Sequence, residues 1–263
     1  MPSLALPDVS LHYEARGRGA PLLLVAGLAS DSLSWLTVWT GLAARFRAVA
    51  PDNRGVGRTA PQDAAASVDA MADDCAALLA SLGIARAPVL GHSMGGFVAQ
   101  RLALRHPRLV ERLILVATGA RAGPGNVALF DDLAAKLASG EDPSRWFRRL
   151  FDLIFTRRFM SDPQNVEAAT RWALEYPYPQ SAAGFRRQVD AIAAFDGSGD
   201  LSAIAAPTLV VAGREDVLFP ATACGAFARR IPGAAFVTID GAAHAVHTEQ
   251  PAAFVEAVSR FAA

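Results

Sequence analysis

The residues with the clearest chemical meaning form the pentapeptide Gly-His-Ser-Met-Gly at positions 91–95, centred on Ser93. A short apolar run at residues 88–90 precedes it, and a segment with helical spacing follows it at residues 96–104. A serine on a tight turn between a strand and a helix takes a strained backbone, and glycines on either side allow neighbouring chain to approach. Because the turn would lift the hydroxyl to the N-terminus of a helix, we predict that Ser93 is a nucleophile.

A serine hydroxyl reacts only when a base takes its proton, and a neighbouring acid must hold that base in the right tautomer. Of the five histidines, His244 lies in the loop that leaves a late apolar run at residues 236–239, so we predict that it is the base. His247 follows one helical turn later, and we expect its side chain to point outward or to cap a helix. A metal site of His244, His247 and Glu249 is an alternative, although no His-Glu-x-x-His motif supports it.

Asp216 is the candidate acid, because it follows the apolar run at residues 208–211 at the end of a predicted strand. The apolar residues 217–220 come next, and we expect them to bury its carboxylate and direct it inward. Glu215 and Asp240 are neighbouring alternatives. A serine, an acid and a histidine that each follow a strand are the set that acyl transfer through a covalent intermediate requires.

The elements that must position these residues alternate between short apolar runs and longer segments with helical spacing. The apolar runs are residues 21–26, 88–90, 113–116 and 208–211. The helical segments are residues 35–46, 68–82, 96–104, 221–229 and 252–261. Continuous apolar runs are typical of strands that are covered on both faces. We therefore predict an α/β fold with a mostly parallel, doubly wound sheet, opened by an antiparallel hairpin at residues 4–13.

Residues 123–200 break this alternation, because they contain no β-run and read as several helices separated by Gly and Pro. We predict that they form a helical cap, or lid, inserted in a core domain made of residues 1–122 and 201–263. Cap aromatics and neighbouring core residues are candidates for a substrate pocket: Gly27, Trp146, Phe151, Phe155, Trp172 and Leu218. The alternative is that the aromatics form the cap's own small core.

Taken together, the chain resembles the α/β-hydrolase family over nearly its whole length. Ser93, Asp216 and His244 occur in that family's order along the chain. Residues 52–57, Asp-Asn-Arg-Gly-Val-Gly, are similar to its D-x-R-G-x-G loop, and residues 241–244 are similar to its G-x-x-H. The resemblance implies the α/β-hydrolase fold and a serine hydrolase that uses no cofactor and no metal.

The resemblance also implies an oxyanion hole, in which the backbone N–H groups of Leu28 and Met94 hold the negative oxygen of a tetrahedral intermediate. The family usually has a histidine before the glycine that corresponds to Gly27, whereas this chain has Ala26. Because the donors are backbone groups, we expect the hole to persist with different residues around it.

The predicted reaction is cleavage of a carboxylic ester, lactone or related acyl bond of a small apolar molecule through an acyl-serine intermediate. Residues 30–35 and 219–224 are similar to enol-lactone hydrolases and aminoacrylate hydrolases, which favours an esterase, enol-lactonase or aminoacrylate-hydrolase branch. A C–C or C–N bond hydrolase and a cofactor-free perhydrolase with the same triad are alternatives. A non-catalytic receptor for a small ligand is the alternative from another class, since a fold alone does not fix function.

The composition excludes several classes of protein. The chain has 263 residues, 52% of them hydrophobic, and 25 Lys+Arg against 25 Asp+Glu give a formal net charge of zero. This charge disfavours a nucleic-acid partner, and no apolar segment approaches the roughly 20 residues that span a membrane. We expect a cytoplasmic monomer or homodimer whose partners are a small-molecule acyl substrate and water.

The distant Cys75 and Cys224 fit no disulfide or zinc spacing, and we expect Cys224 to be a buried small hydrophobe.

Overall fold

The computed structural model describes residues 2–263, within which an eight-stranded sheet is flanked by helices. The strands are β1 (Ser3–Ala5), β2 (Ser10–Arg16), β3 (Ala20–Val25), β4 (Phe46–Pro51), β5 (Ala87–His92), β6 (Val110–Val116), β7 (Thr208–Gly213) and β8 (Ala235–Ile239). The helices are α1 (Leu36–Ala43), α2 (Val68–Ser81), α3 (Met94–Arg105), α4 (Pro124–Ala138), α5 (Pro143–Ile154), α6 (Arg157–Met160), α7 (Pro163–Leu174), α8 (Ala182–Ala194), α9 (Ala221–Ala228), α10 (Val246–Glu249) and α11 (Pro251–Ala262). Two short 3-10 turns occur at Ser32–Trp35 and Leu201–Ala203.

The sheet has the strand order β1-β2-β4-β3-β5-β6-β7-β8. Strands β1 and β2 form an antiparallel hairpin, β2 pairs antiparallel with β4, and the pairings from β4 to β8 are parallel. The apolar strands β3, β5 and β7 are buried on both faces, because helices cover the sheet on each side. The predicted hairpin and the mostly parallel, doubly wound sheet are therefore confirmed.

The core consists of two layers, one on each face of the sheet. One layer packs α2, α3 and α9 with residues such as Phe97 and Leu78, and the other packs α1, α10 and α11 with Trp35 and Phe254. Parallel strands end at the same edge of the sheet, so the loops after β3, β5, β7 and β8 converge there. The predicted catalytic residues Ser93, Asp216 and His244 follow β5, β7 and β8, so they lie at this edge.

Helices α4 to α8 occupy the segment between β6 and β7, for which a helical cap is predicted. Side chains of Asp142, Thr156, Asp162 and Ser181 accept hydrogen bonds from backbone N–H groups in the first turns of α5, α6, α7 and α8. Such N-capping explains why separate short helices form here instead of one long helix. We use the name cap for residues 123–200.

Both cysteines are buried and unbridged. The Cys224 thiol lies 3.3 Å from the Phe219 carbonyl and 3.4 Å from the Thr118 carbonyl, and burial raises its pKa to about 12. It is therefore the small buried side chain that the sequence predicts. Within residues 2–263, no helix combines the length and the apolar character needed to cross a membrane.

Candidate active site

Ser93 lies on the turn between β5, which ends at His92, and α3, which begins at Met94. Its φ of 54° is in the left-handed region, which is unfavourable for residues other than glycine. The Ser93 N–H donates to the Val116 carbonyl at 2.9 Å, and its own carbonyl accepts from the Thr118 hydroxyl at 2.9 Å. These bonds to the neighbouring β6 strand and its loop hold the strained conformation in place.

The two glycines of the pentapeptide are required by close packing. A Cβ added at Gly91 would overlap the carbonyl oxygen of Gly95, and one added at Gly95 would overlap the carbonyl oxygen of Val25. The turn can therefore close against α3 and β3 only when both positions lack a side chain. The sequence pattern predicts a nucleophile turn because its glycines allow neighbouring chain to approach, and the structure has this close approach.

His244 and Asp216 are brought together at the ends of β8 and β7. His244 Nδ1 lies 2.9 Å from Asp216 Oδ2, and both side chains are buried. The other carboxylate oxygen accepts from the N–H groups of Leu218 at 2.8 Å and Phe219 at 3.0 Å. Because a carboxylate only accepts, Nδ1 carries the hydrogen of the neutral ring and Nε2 is left as the acceptor.

The two alternative acids lie elsewhere. Glu215 is exposed, and the exposed Asp240 forms an ion pair with Arg214. Only Asp216 among these three carboxylates is bonded to His244. The geometry therefore favours Asp216, in agreement with the choice made from the sequence.

The loop that carries His244, residues 240–245, is called the β8 loop. The His244 carbonyl accepts a hydrogen bond from His92 Nε2 at 2.9 Å. The flanking N–H of Ala243 donates to Glu249 Oε2 at 2.8 Å, and that of Ala245 donates to the Ile154 carbonyl of the cap at 2.9 Å. The main chain on both sides of His244 is thus fixed.

The Glu249 carboxylate also joins the β8 loop to the cap. Its Oε1 accepts from the Thr156 hydroxyl at 2.7 Å and from the Thr156 N–H at 3.1 Å. Sequence reasoning considered Glu249 only as a metal ligand. Within the part of the chain that the structure describes, no group of three or more His, Cys, Asp and Glu is arranged to hold a metal ion.

The prediction that the His247 side chain points outward or caps a helix is wrong, because His247 lies inside α10. Its side chain is buried, and its ring centroid lies 4.8 Å from that of Trp35 and 4.9 Å from that of His92. Burial, followed by repulsion from His244, lowers the pKa of His247 to about 4. Burial, followed by repulsion from His244 and His247, also lowers the pKa of His92 well below its usual value. Both rings are therefore neutral at physiological pH.

The loop after β3, residues 26–31, passes directly against Ser93 and is called the β3 loop. A Cβ added at Gly27 would lie 3.1 Å from the Ser93 Cβ. Met94 is the first residue of α3, so its N–H has no acceptor within the helix. The N–H of Leu28 has no hydrogen-bond acceptor among residues 2–263. Both predicted oxyanion donors thus lie in segments that adjoin Ser93, and their role stays a prediction.

Side chains from other segments hold the β3 loop where the family's usual histidine is absent. Asn53 Nδ2 donates to the Ala26 carbonyl at 2.9 Å, and Asp52 Oδ1 accepts at 2.9 Å from the N–H of Ser32, the residue directly after the loop. Gln188 of the cap accepts from the Ala29 N–H at 3.2 Å. Asn53 and Asp52 lie in the D-x-R-G-x-G-like segment, whereas nothing in the sequence pattern indicates Gln188.

The pocket candidates separate into two groups. Gly27 and Leu218 lie beside Ser93 and Asp216, as described above. Phe219 was missed by sequence reasoning, although it follows Leu218 directly, and its ring stacks on the His244 ring with 5.9 Å between centroids. The apolar segment after Asp216 thus covers one side of the histidine.

The aromatic candidates of the cap pack mainly on each other. Trp146 is buried among other cap residues, where its ring contacts Phe185 and its indole N–H donates to the Leu133 carbonyl at 2.9 Å. Phe151 and Phe155 lie in a row of rings, with 5.6 Å between their centroids. Trp172 must be corrected as a pocket candidate, because its side chain is 57% exposed on the surface of α7. Trp146 therefore packs inside the cap, and the buried cap residues are continuous with the core on that face of the sheet.

Comparisons with known proteins agree with this fold. A family model described as alpha/beta hydrolase fold matches residues 20–251. A protein of Agrobacterium fabrum named carbamate hydrolase RutD is 33% identical over 252 residues, which is 93% of this chain and 95% of that protein.

Two solved structures show the same similarity. The enol-lactonase from Burkholderia xenovorans LB400 is 27% identical, with a TM-score of 0.87 and 99% of each chain covered. A thermophilic esterase from Thermogutta terrifontis is 30% identical, with a TM-score of 0.85, covering 98% of this chain and 95% of that one. The match to the family model, the relative and the shared architecture together show that this chain belongs to the alpha/beta hydrolase fold family.

Proposed function

We propose that the protein is a serine hydrolase that cleaves an ester, lactone or related acyl bond of a small apolar molecule through an acyl-Ser93 intermediate. The observation that carries the proposal is the 2.9 Å hydrogen bond between His244 Nδ1 and Asp216, next to a strained serine turn. A buried histidine oriented by a buried carboxylate is what a serine needs to become a nucleophile.

The first half of the reaction forms the acyl-enzyme. His244 Nε2 takes the proton of the Ser93 hydroxyl, and the serine oxygen forms a bond to the carbonyl carbon of the substrate. The carbonyl oxygen becomes negative and accepts hydrogen bonds from the N–H groups of Leu28 and Met94. When the tetrahedral intermediate collapses, the bond to the leaving group breaks and His244 gives its proton to that group.

The second half releases the product. Water gives a proton to His244 and attacks the acyl carbon, and the proton returns to the Ser93 oxygen as the carboxylic acid leaves. Asp216 keeps its hydrogen bond to Nδ1 and stabilises the positive ring in both steps. The apolar side chains of Leu218 and Phe219 beside His244 favour an uncharged acyl group.

A carbamate is the second candidate substrate, because a relative at 33% identity over most of both chains is named carbamate hydrolase. Cleavage of its C–N bond by the same groups requires His244 to protonate a departing amine. The enol-lactonase and esterase neighbours support the ester and lactone candidates equally. A panel of p-nitrophenyl esters, lactones and carbamates distinguishes these classes.

Ser93→Ala tests the proposed mechanism. We expect the variant to lose at least about 10⁴-fold in kcat and to lose labelling by a fluorophosphonate, because no other group forms the acyl bond. Ser161→Ala on the exposed surface of the cap is the control and should keep both properties. Retained turnover or labelling in the Ser93 variant would falsify the nucleophile assignment. A small molecule that raises the melting temperature of the wild type without being turned over would favour a receptor.

A further inference from the structure

Gln188 on α8 is a fully buried polar side chain, at 0% exposure, where the cap meets the β3 loop. Its Oε1 accepts from the Ala29 N–H at 3.2 Å and from Gln180 Nε2 at 3.0 Å. Its Nε2 donates to the Arg54 carbonyl at 2.8 Å. Burying an amide is unfavourable unless its hydrogen bonds are made, so these three bonds hold the side chain in one position.

The peptide that Gln188 holds is next to a predicted oxyanion donor. Ala29 follows Leu28 directly, and its φ of 58° lies in the left-handed region. A residue other than glycine keeps such a conformation only while its surroundings enforce it. The hydrogen bond to Gln188 is such a restraint, because it fixes the orientation of the peptide between Leu28 and Ala29.

Helix α8 is seated on the core through direct backbone contact. Gly184 lies one turn before Gln188, and a Cβ added there would overlap the Gly55 carbonyl oxygen. A Cβ added at Gly55 would in turn lie 2.7 Å from the Gly184 carbonyl oxygen. The position of Gln188 relative to the core is therefore set by close-packed main chains, which transmit small shifts.

We propose that Gln188 is a positioning residue that directs the Leu28 N–H through Ala29, so that the cap takes part in forming the oxyanion hole. The proposal rests on the proposed function, because Leu28 acts as an oxyanion donor only during acyl transfer. It assigns to the cap a role in catalysis that is separate from covering the substrate.

The experiment compares two Gln→Met variants, each of which keeps the length of the side chain and removes both polar ends. Gln188→Met removes the restraint on the β3 loop. Gln62→Met is the matched control, since Gln62 also makes three hydrogen bonds near the boundary of core and cap, to Gly57, Pro179 and Ser181. None of these partners belongs to the β3 loop.

Two readouts separate positioning from general loss of structure. The first is kcat and KM for p-nitrophenyl butyrate, expressed per Ser93 that a fluorophosphonate labels, so that only folded sites are counted. The second is the inhibition constant of an alkyl trifluoromethyl ketone, to which the serine adds to form a hemiketal. The negative oxygen of this hemiketal needs the same N–H donors as the transition state.

We expect Q188M to lower kcat by about 10- to 100-fold with little change in KM, because a misdirected donor weakens the transition state more than the bound substrate. Binding of the ketone should weaken by a similar factor. Q62M should remain within about threefold of the wild type in both measurements, since its contacts lie away from the reacting groups.

The outcomes separate this inference from the proposed function. Equal losses in Q188M and Q62M, or unchanged ketone binding by Q188M, would overturn the role of Gln188 and leave the proposed function intact. A wild type that is not labelled at Ser93 and turns over no ester, lactone or carbamate would overturn both. If Q188M does not fold, Gln188→Ala, which leaves room for water at the vacated bonds, replaces it in the same comparison.

Discussion

Three histidine rings lie together, because those of His244 and His247 each lie 4.9 Å from the ring of His92, the residue before Ser93. His244 is bonded to Asp216, whereas the rings of His92 and His247 pack against each other with 4.9 Å between centroids. Because burial keeps His92 and His247 neutral, neither places a positive charge next to His244, the base of the proposed reaction.

Burial of His247 predicts a specific loss of stability in acid. Its pKa is about 4 in the folded chain, against 6.5 for the unperturbed side chain. Above about pH 6.5 the neutral ring makes its full contribution to the free energy of unfolding. This contribution falls as the pH drops towards 4, because the unfolded chain takes up the proton first. His247→Phe keeps an aromatic ring on Trp35 and removes this titration. Between about pH 7.5 and pH 4, the wild type should lose about 3 kcal/mol more free energy of unfolding than H247F.

Urea unfolding followed by tryptophan fluorescence at a series of pH values measures this difference. His106→Gln is the control, because His106 is partly exposed at the end of α3 and pairs with Asp73 on the surface. Parallel stability curves for the wild type and H247F across this pH range would contradict the prediction.

Among the elements, α10 connects the cap to the β8 loop through Glu249. In Glu249→Gln a single oxygen remains, so the side chain can no longer accept from both Thr156 and Ala243. The orientation of His244 relative to Ser93 should become less well defined, and we expect kcat to fall by about 10-fold. Steady-state kinetics with an ester substrate measures the change.

Glu256→Gln is the control for this variant, because Glu256 is exposed on α11. It should leave kcat unchanged. If E249Q has the kcat of the wild type, the link between the cap and the β8 loop does not orient the base.

The types of the elements could be predicted because a strand covered on both faces is an almost continuous apolar run, as in β3 and β7. Ser93 and Asp216 could be predicted because each follows such a strand. The burial of His247 could not, since helical spacing gives the face of a helix but not the depth at which it packs. Gln188 could not be predicted either, because its partner Ala29 lies 159 positions away along the chain.

In the molecule as a whole, a partly buried hydrogen bond between Tyr176 and Asp31 joins the cap to the core. The Tyr176 hydroxyl donates to Asp31 Oδ2. Burial, followed by repulsion from Asp52, raises the pKa of Asp31, and the hydroxyl opposes this change by stabilising the carboxylate. Tyr176→Phe leaves this carboxylate with one donor fewer, so we expect the free energy of unfolding to fall by about 1–3 kcal/mol. Denaturant unfolding at neutral pH measures this loss.

Trp172→Phe is the control, because the exposed Trp172 ring lies near Tyr176 on the outer side of the cap. This variant should change the free energy of unfolding by less than about 0.5 kcal/mol. Equal stability of Y176F and the wild type would show that the bond does not hold the cap on the core.

The anchoring contacts between cap and core restrict how hydrolases of this kind can be recombined. A chimaera that receives residues 123–200 from another family member keeps Ala29 and Glu249 but loses Gln188 and Thr156, so each bonded pair is divided between two parents. The transplanted cap would lack the groups that hold the β3 and β8 loops. We therefore expect a grafted cap to keep both loops in place only when it has matching hydrogen-bonding residues at positions 156 and 188.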